Sequence, residues 1–218
     1  MLPEMIYHIE CSVDGRIDWL RPDNFLYYRL ILDWKFDAMI SGSNTMLIAE
    51  MSLEKNIDKK DNQYLIVIDS KGKIKNWDII KKQAWWNDTP IALCSKSTPD
   101  EYLLLLEKNK INYLIAGIEK VDLKFALEEL NKIYSINTIR IDSGGVLGGI
   151  LLRQKLVDEI SIVYAPQLTG GKSPKTIYVA EDPESFNEVI DLEIIKTEVL
   201  ENNYIWHRYK IINNTKED

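Results

Sequence analysis

The chain is 218 residues long, and with 45% hydrophobic and 28% charged residues it has an ordinary composition for a globular protein. A chain of this length can bury most of its apolar surface and needs no disulfide or metal to fold. It contains no apolar run of about 18 residues, so a membrane-spanning helix is excluded. Its formal net charge of −7 argues against non-specific binding to nucleic acid.

The small number of cysteines and histidines limits the disulfides and metal sites that the chain could form. Cys11 and Cys94 form no disulfide framework and have no zinc-site spacing, and with only two histidines in the chain no metal site is expected. The first four residues, Met-Leu-Pro-Glu, lack the basic and apolar segments of a signal peptide. We therefore expect a cytoplasmic protein.

Strand-like and helix-like segments alternate along the chain as far as residue 164. In chain order the patterns predict a strand at 5–11, a helix at 23–34, a strand at 37–41, a tight turn at 42–45, a helix at 46–50, a loop at 51–62, strands at 64–69 and 90–94, a helix at 100–108, a strand at 113–116, a helix at 123–134, a strand at 138–142, a helix at 146–154 and a strand at 158–164. Extended stretches at 189–199 and 204–211 are predicted to pair as an antiparallel hairpin.

This order of elements predicts an α/β fold. Alternating strands and helices are typical of a mostly parallel central sheet with helices on both faces, and the C-terminal hairpin makes the sheet mixed. Because no long polar break interrupts the pattern, residues 1–218 are predicted to form a single domain.

Ligands of such sheets bind beyond the carboxyl ends of the strands. The segment Gly144-Gly145-Val146-Leu147-Gly148-Gly149 follows one predicted strand and opens a helix. Its backbone N–H groups and the helix N-terminus could hold a phosphate. Alternatively the segment is a tight turn whose Gly148 and Gly149 allow close helix packing. Its glycine spacing is not that of the Rossmann fingerprint, and it lacks the lysine of a P-loop.

Three other strand ends carry polar groups. Gly42-Ser43-Asn44-Thr45 could either cap a helix through Ser43 or face a second phosphate of the same ligand. Asp69-Ser70-Lys71 offers a hydroxyl and an ammonium to a phosphate monoester, or is a solvated turn. Asp142 is the best candidate for an acid or a substrate anchor, and a loop or helix-cap role is equally open. Cys11 is predicted to be a small buried residue and not a nucleophile.

Six short motifs occur in a characteristic order: S-x-D-G at 12–15, D-A-x-x-x-G-S-x-T at 37–45, V-x-D-S at 67–70, D-x-G-G at 142–145, L-V-D-E at 156–159 and A-P-x-L-x-G at 165–170. Together they resemble the C-terminal reductase domain of the bifunctional riboflavin-biosynthesis deaminase–reductase and its stand-alone relatives, over residues 5–211. The resemblance implies a dihydrofolate-reductase-like three-layer fold, NADPH as cofactor and a homodimer.

The resemblance also implies roles for individual residues. Gly144, Gly145, Val146 and Leu147 would hold the cofactor pyrophosphate and nearby ribose, and Ser43, Asn44 and Thr45 would line the adenosine half. Ser70 and Lys71 would approach the 2′-phosphate, which favours NADPH over NADH. The backbone around Cys11 would meet the nicotinamide, and Asp142 matches the acidic position that contacts substrate. Hydride would pass to C1′ of a diaminopyrimidinone or aminouracil ribosylamine 5-phosphate.

The chain departs from the family pattern at its basic positions. His8 stands where the family usually has a lysine that serves the substrate phosphate, so the resemblance implies that His8 contacts the substrate; Asp33 stands where the family usually has an arginine. Arg16, Arg21 or Lys172 could substitute for them. Two alternatives therefore remain: a dihydrofolate-reductase-like reductase of another pyrimidine or pterin heterocycle, and a catalytically silent dinucleotide-binding protein.

Overall fold

The computed structural model describes residues 1–50, 62–83, 85–172 and 175–212. Most of the predicted loop at 51–62 lies outside these residues. Contacts between Cα atoms group the chain into two compact units. The first unit comprises Met1–Pro3 and Phe36–Ile139, and the second comprises Glu4–Lys35 and Arg140–Asp218. The single-domain organisation of residues 1–218 stays a prediction.

Within the described residues the chain forms nine strands and six α-helices. The strands are β1 (Glu4–Ser12), β2 (Ala38–Gly42), β3 (Tyr64–Ile68), β4 (Ile91–Cys94), β5 (Asn112–Ile115), β6 (Thr138–Ile141), β7 (Glu159–Ala165), β8 (Leu192–Val199) and β9 (Ile205–Ile211). The helices are α1 (Asn24–Ile31), α2 (Ser43–Glu50), α3 (Trp77–Lys81), α4 (Asp100–Lys108), α5 (Leu123–Tyr134) and α6 (Gly145–Arg153). None of these helices is both long and apolar enough to cross a bilayer.

The first unit contains four consecutive parallel strands. β2 pairs with β3, β3 with β4, and β4 with β5, and the register places Gly42 opposite Ile68. β2, β3 and β4 are mostly buried apolar runs, which is the pattern of parallel strands covered on both faces, whereas β5 is partly exposed. On one face Leu65 and Val67 join a core that includes the buried side chains of Trp77 and Tyr102. The carboxyl ends of β2 and β3 are therefore neighbours.

The second unit combines parallel and antiparallel pairs. β1 pairs with β7 in parallel, whereas β9 runs antiparallel to both β7 and β8. The predicted C-terminal hairpin is confirmed, and so is the mixed α/β class. β6 contributes its first two residues to the first unit and its last two to the second.

One boundary differs from the prediction in a place that matters for function. Residues 43–45 are the first turn of α2 and not a separate tight turn. Ser, Asn and Thr are favoured at helix N-termini, because their short polar side chains can satisfy the free N–H groups there. The prediction of a turn was wrong because these same residues also favour turns.

The strand β1 positions the candidate site of the second unit. Its side chains alternate, so His8, Glu10 and Ser12 share one face. That face packs against α1: the Tyr27 hydroxyl donates to the His8 carbonyl at 2.9 Å. The opposite face carries Tyr7, which meets α6 at Gly148. Both faces are buried, which makes any polar group on β1 energetically costly unless it has a partner.

Candidate active site

The motif aspartate Asp14 is a structural anchor. Its Oδ1 accepts hydrogen bonds from the Ser12 hydroxyl at 2.7 Å and the Thr169 N–H at 3.1 Å, and its Oδ2 accepts from the Gly170 N–H at 2.8 Å. These bonds lower the pKa of the Asp14 carboxyl to about 2, with the Ser12 bond as the largest cause. They tie the S-x-D-G motif to the A-P-x-L-x-G loop, which explains why the two occur together.

Three more motif aspartates hold backbone in place. Asp37 Oδ2 accepts from the N–H groups of Asn137 and Thr138 at 2.8 and 3.0 Å. Asp69, only 1% exposed, accepts from the N–H groups of residues 73 and 74 and from the Tyr102 hydroxyl, the last at 2.8 Å. Asp158 Oδ2 accepts from the Met5 N–H at 2.8 Å and so joins β1 to the residue before β7.

Asp142 is the motif aspartate that faces a cavity. Its Oδ2 accepts from Arg140 Nη1 at 2.7 Å, and its side chain keeps 25% of its surface exposed while that of Arg140 keeps 5%. The buried guanidinium therefore fixes the carboxylate and offsets its charge. Asp142 follows β6 directly, the position at which ligands of parallel sheets are bound.

The cavity beside Asp142 has a volume of about 270 Å³. Its polar wall consists of Glu10, Asn24, Tyr27, Tyr28 and Asp142, and its other lining residues are Ile17, Leu20 and Pro22. Burial raises the pKa of Glu10 from 4.5 to about 7; the hydrogen bond from the Asp23 N–H opposes the rise, and the negative charge of Asp23 adds a smaller increase. A carboxyl that titrates near neutral pH beside a cavity is typical of functional sites.

The glycines of α6 have two different surroundings. A Cβ on Gly145 or Gly149 would overlap the backbone of Thr176 or Val179, and one on Gly148 would overlap the Tyr7 ring. Close packing explains these three residues, as the alternative interpretation of the motif expects. Gly144 is the N-cap, supplies no side-chain cap and leaves room for a Cβ. The first turn of α6 also contains no acidic residue, so its N–H groups are suited to an anion.

The first unit brings the other predicted cofactor residues together. Ser43, Asn44 and Thr45 begin α2 directly after β2, and Ser70 and Lys71 follow β3, the neighbouring strand. Lys73 Nζ donates to Asn44 Oδ1 at 2.7 Å and links the two segments. The first turn of α2 contains no acidic residue. Lys71 is exposed and has no ion pair within the described residues.

Two side chains predicted to bind substrate, those of His8 and Arg16, are instead hydrogen-bonded to other residues of the protein. His8 is 1% exposed, with Nδ1 2.8 Å from Ser161 Oγ and Nε2 3.3 Å from the Tyr27 carbonyl. Burial, followed by the nearby Arg140, lowers the pKa of His8 to about 3, so it stays neutral. Arg16 Nη2 donates to both Asp18 oxygens, at 2.8 and 3.1 Å. Neither geometry presents a free group to a ligand.

Cys11 agrees with the expectation of a small buried residue. Its pKa is raised to about 12, first by burial and then by the carboxylates of Glu10 and Asp14. The thiolate needed for a nucleophile is therefore not formed at neutral pH. The predicted contact of its backbone with a nicotinamide stays a prediction.

Glu10 is the residue that the sequence analysis missed. A signal was present, because His8, Glu10 and Ser12 repeat with the period of two that places strand side chains on one face. Within a strand that is buried along almost its whole length, a carboxylate at such a position is costly to bury. That cost is the feature that should have singled it out.

Comparison with known proteins agrees with the resemblance carried by the six motifs. The sequence profile of the family described as the RibD C-terminal domain matches residues 30–206. A 2,5-diamino-6-ribosylamino-4(3H)-pyrimidinone 5′-phosphate reductase from Methanothermobacter thermautotrophicus is 29% identical over 168 residues, which is 75% of each chain. The protein of the same name from Archaeoglobus fulgidus is 27% identical over 214 residues, 90% of this chain and 94% of that one.

Solved structures confirm the fold class. A pyrimidine reductase-like protein from Corynebacterium diphtheriae superposes with a TM-score of 0.73 and 15% identity, covering 96% of this chain and 92% of that one. A dihydrofolate reductase from Enterococcus faecalis, solved in complex with NADP(H), superposes with a TM-score of 0.51 and 12% identity, covering 95% and 96%. The predicted dihydrofolate-reductase-like architecture is therefore confirmed.

Proposed function

Since the chain belongs to the RibD C-terminal domain family, we propose that it is an NADPH-dependent reductase of the riboflavin-biosynthesis type. The observation that carries this proposal is the match of nearly the whole chain to relatives named as pyrimidinone phosphate reductases. The proposed reaction transfers a hydride to C1′ of a diaminopyrimidinone or aminouracil ribosylamine 5-phosphate. The nicotinamide cofactor supplies the hydride when it is bound.

The protein's own groups suit an anionic dinucleotide. In the first unit, Ser43, Asn44 and Thr45 would bind the adenosine half, and Ser70 and Lys71 would bind a 2′-phosphate. In the second unit, the uncapped N-terminus of α6 at Gly144–Leu147 would bind the pyrophosphate. Helix N-termini free of acidic side chains favour phosphate. An exposed lysine beside Ser70 favours the extra phosphate of NADPH over NADH.

Asp142 is assigned to the substrate. Held by Arg140, its carboxylate is partly exposed and lines the cavity. A fixed acceptor of this kind would orient a substrate N–H or hydroxyl group for hydride transfer. The neutral, enclosed His8 would support the position of α1 and would take no part in the chemistry.

Turnover with defined substrates tests the proposal. The purified chain is incubated with NADPH or NADH and with either the diaminopyrimidinone ribosylamine phosphate or its uracil counterpart, and oxidation of the nicotinamide is followed by absorbance. We expect turnover with one of the two substrates and a preference for NADPH. Asp142→Ala should lower kcat/KM by about 100-fold or more. Absence of nicotinamide oxidation with both substrates would refute the proposed reaction.

One observation favours a second candidate. Among the described residues, no lysine or arginine lines the cavity beside Asp142. A reductase of another pyrimidine or of a pterin, whose substrate carries no phosphate, would need none. Turnover of a dihydropterin or dihydrofolate, with no turnover of the ribosylamine phosphates, would select this alternative.

We also propose that the chain is a homodimer. Support comes from β8, a strand whose exposed apolar side chains are unusual for a protein surface: Leu192, Ile194, Ile195 and Val199. Light scattering on the purified chain should give twice the mass of one chain. Ile194→Glu should shift the mass toward that of a monomer, and a monomeric wild-type protein would contradict the proposal.

A further inference from the structure

The cavity beside Asp142 is acidic in its charge balance. The charge of Asp142 is offset by the ion pair with Arg140, whereas Glu10 forms no ion pair with any residue that the structure describes. Asp23, directly before α1, adds a further carboxyl near Glu10 and contributes to the rise of its pKa. His8, on the same face of β1, is neutral. Among the described residues, no lysine or arginine lines the cavity beside Glu10 to attract an anion.

Glu10 also has unused hydrogen-bonding capacity. It is 8% exposed, and its Oε1 accepts one long bond, from the Asp23 N–H at 3.3 Å. Within the described part of the chain Oε2 has no hydrogen-bond partner, and the side chain lines the cavity. A buried carboxylate has about four acceptor sites, and leaving them empty costs free energy. The arrangement is that of an acceptor prepared for a ligand that donates hydrogen bonds.

The two buried arginines of the second unit, Arg16 and Arg140, cannot turn the cavity into a phosphate site at low cost. Arg16 is bound to both oxygens of Asp18, and Arg140 is bound to Asp142. Releasing either guanidinium would leave a partly buried carboxylate without its partner. A phosphate in the cavity would also face the carboxyl of Glu10, near which Asp23 adds a second carboxyl.

From this geometry we propose that the cavity bounded by Glu10, Tyr27, Tyr28 and Asp142 binds the amino-substituted heterocycle of the substrate, with Glu10 accepting hydrogen bonds from its N–H groups, and rejects the phosphate. The assignment rests on the proposed function for the identity of the substrate. The cavity has a volume of about 270 Å³, which suits a single substituted ring. The two tyrosine rings offer flat apolar surface to the ring faces.

Two fragments of the proposed substrate test this assignment. Binding of 2,5,6-triamino-4-pyrimidinone and of D-ribose 5-phosphate is measured by calorimetry above pH 7, where Glu10 is ionised. We expect the triaminopyrimidinone to bind the wild-type chain and ribose 5-phosphate not to displace it. Glu10→Gln should weaken triaminopyrimidinone binding at least fivefold, because a charge-assisted acceptor is lost. The matched control is Glu119→Gln, at an exposed position after β5, and it should leave the affinity unchanged.

Three results would overturn the assignment. The first is absence of triaminopyrimidinone binding to the wild-type chain. The second is equal affinity in wild type and Glu10→Gln. The third is displacement of the triaminopyrimidinone by ribose 5-phosphate. Folding of each variant is checked by circular dichroism, and Glu10→Asp, which keeps the charge, should retain more affinity than Glu10→Gln.

The same variants separate this assignment from the proposed function. If triaminopyrimidinone binding depends on Glu10 but neither ribosylamine phosphate is turned over, the proposed reaction fails and the cavity assignment stands. If the wild-type chain turns over a ribosylamine phosphate and Glu10→Gln changes neither KM nor fragment binding, the reaction stands and the cavity assignment fails.

Discussion

Gly148 lies against the ring of Tyr7 so closely that a Cβ at this glycine would be 2.6 Å from the tyrosine hydroxyl oxygen and closer still to the ring carbons. The tyrosine cannot retreat, because its hydroxyl donates to the Ile177 carbonyl at 2.8 Å and its side chain is buried. The contact explains why α6 keeps a residue that is otherwise unfavourable inside a helix.

Gly148→Ala should therefore destabilise the protein, although alanine is the better helix former. Overpacking costs about 1 to 3 kcal/mol and outweighs a helix-propensity gain of about 1 kcal/mol. The free energy of unfolding in urea measures the difference. Gly144→Ala is the matched control, since its Cβ would meet only Ile17, at 3.5 Å, and should change stability by less than about 1 kcal/mol. Equal losses in the two variants would contradict the explanation.

The lowered pKa of His8 predicts that the folded protein loses stability in acid. Its pKa is about 3 in the folded chain, compared with 6.5 for an unperturbed histidine, the value taken for the unfolded chain. Between these two pH values the unfolded chain binds a proton that the folded chain does not. Stability should fall as the pH drops below 6.5, by up to about 1.4 kcal/mol per pH unit. Urea unfolding at several pH values measures this slope. His8→Asn should reduce it, and an unchanged slope in that variant would show that other groups cause it.

The raised pKa of Glu10 predicts the opposite dependence of folding stability on pH. Its pKa is about 7 in the folded chain and 4.5 ordinarily, so between these values the folded chain holds a proton that the unfolded chain has lost. Its contribution should decline as the pH rises from 4.5 through 7. Above pH 7, Glu10→Gln should be more stable than wild type by about 1 to 3 kcal/mol. A less stable variant would mean that ionised Glu10 has a stabilising partner. Stability gained together with ligand affinity lost is typical of a functional position.

Lys71 should determine the choice between the two nicotinamide cofactors. Lys71→Ala is expected to weaken NADPH binding about five- to tenfold and to leave NADH binding unchanged, because an exposed lysine would contact only the 2′-phosphate. Quenching of tryptophan fluorescence measures both affinities. Lys120→Ala, at another exposed lysine of the first unit, serves as the control. Equal weakening of NADPH and NADH binding would assign Lys71 to the shared part of the cofactor.

The strands and helices were predictable because the pattern of apolar residues in the sequence indicates which positions are buried. The runs at β3 and β4 are buried on both faces and could only be interior strands. The amphipathic α5 extends over the predicted residues 123–134. The start of α2 was not predictable in this way, because serine, asparagine and threonine favour both helix N-termini and turns.

The roles of the motif aspartates could not be separated by sequence. Asp14 and Asp142 both follow a strand and both have a glycine within the next two residues, yet the first binds backbone N–H groups and the second faces a cavity. The carboxylate of Asp14 is bound by the N–H groups of residues 169 and 170, which are distant in sequence, whereas Asp142 is bound by Arg140, two residues before it. The distant partners of Asp14 leave no local signature in the sequence.

The division of the chain into a continuous and a discontinuous unit has a consequence for synthesis on the ribosome. Nearly all of the first unit lies between residues 36 and 139, whereas the second needs β1, near the start of the chain, and β7 at 159–165. At a translation rate of about 5 to 20 residues per second, β1 waits roughly 10 to 30 s for β7, with which it pairs in parallel. During that interval an apolar strand is available to chaperones, and the first unit can complete its four-stranded pairing before the second begins.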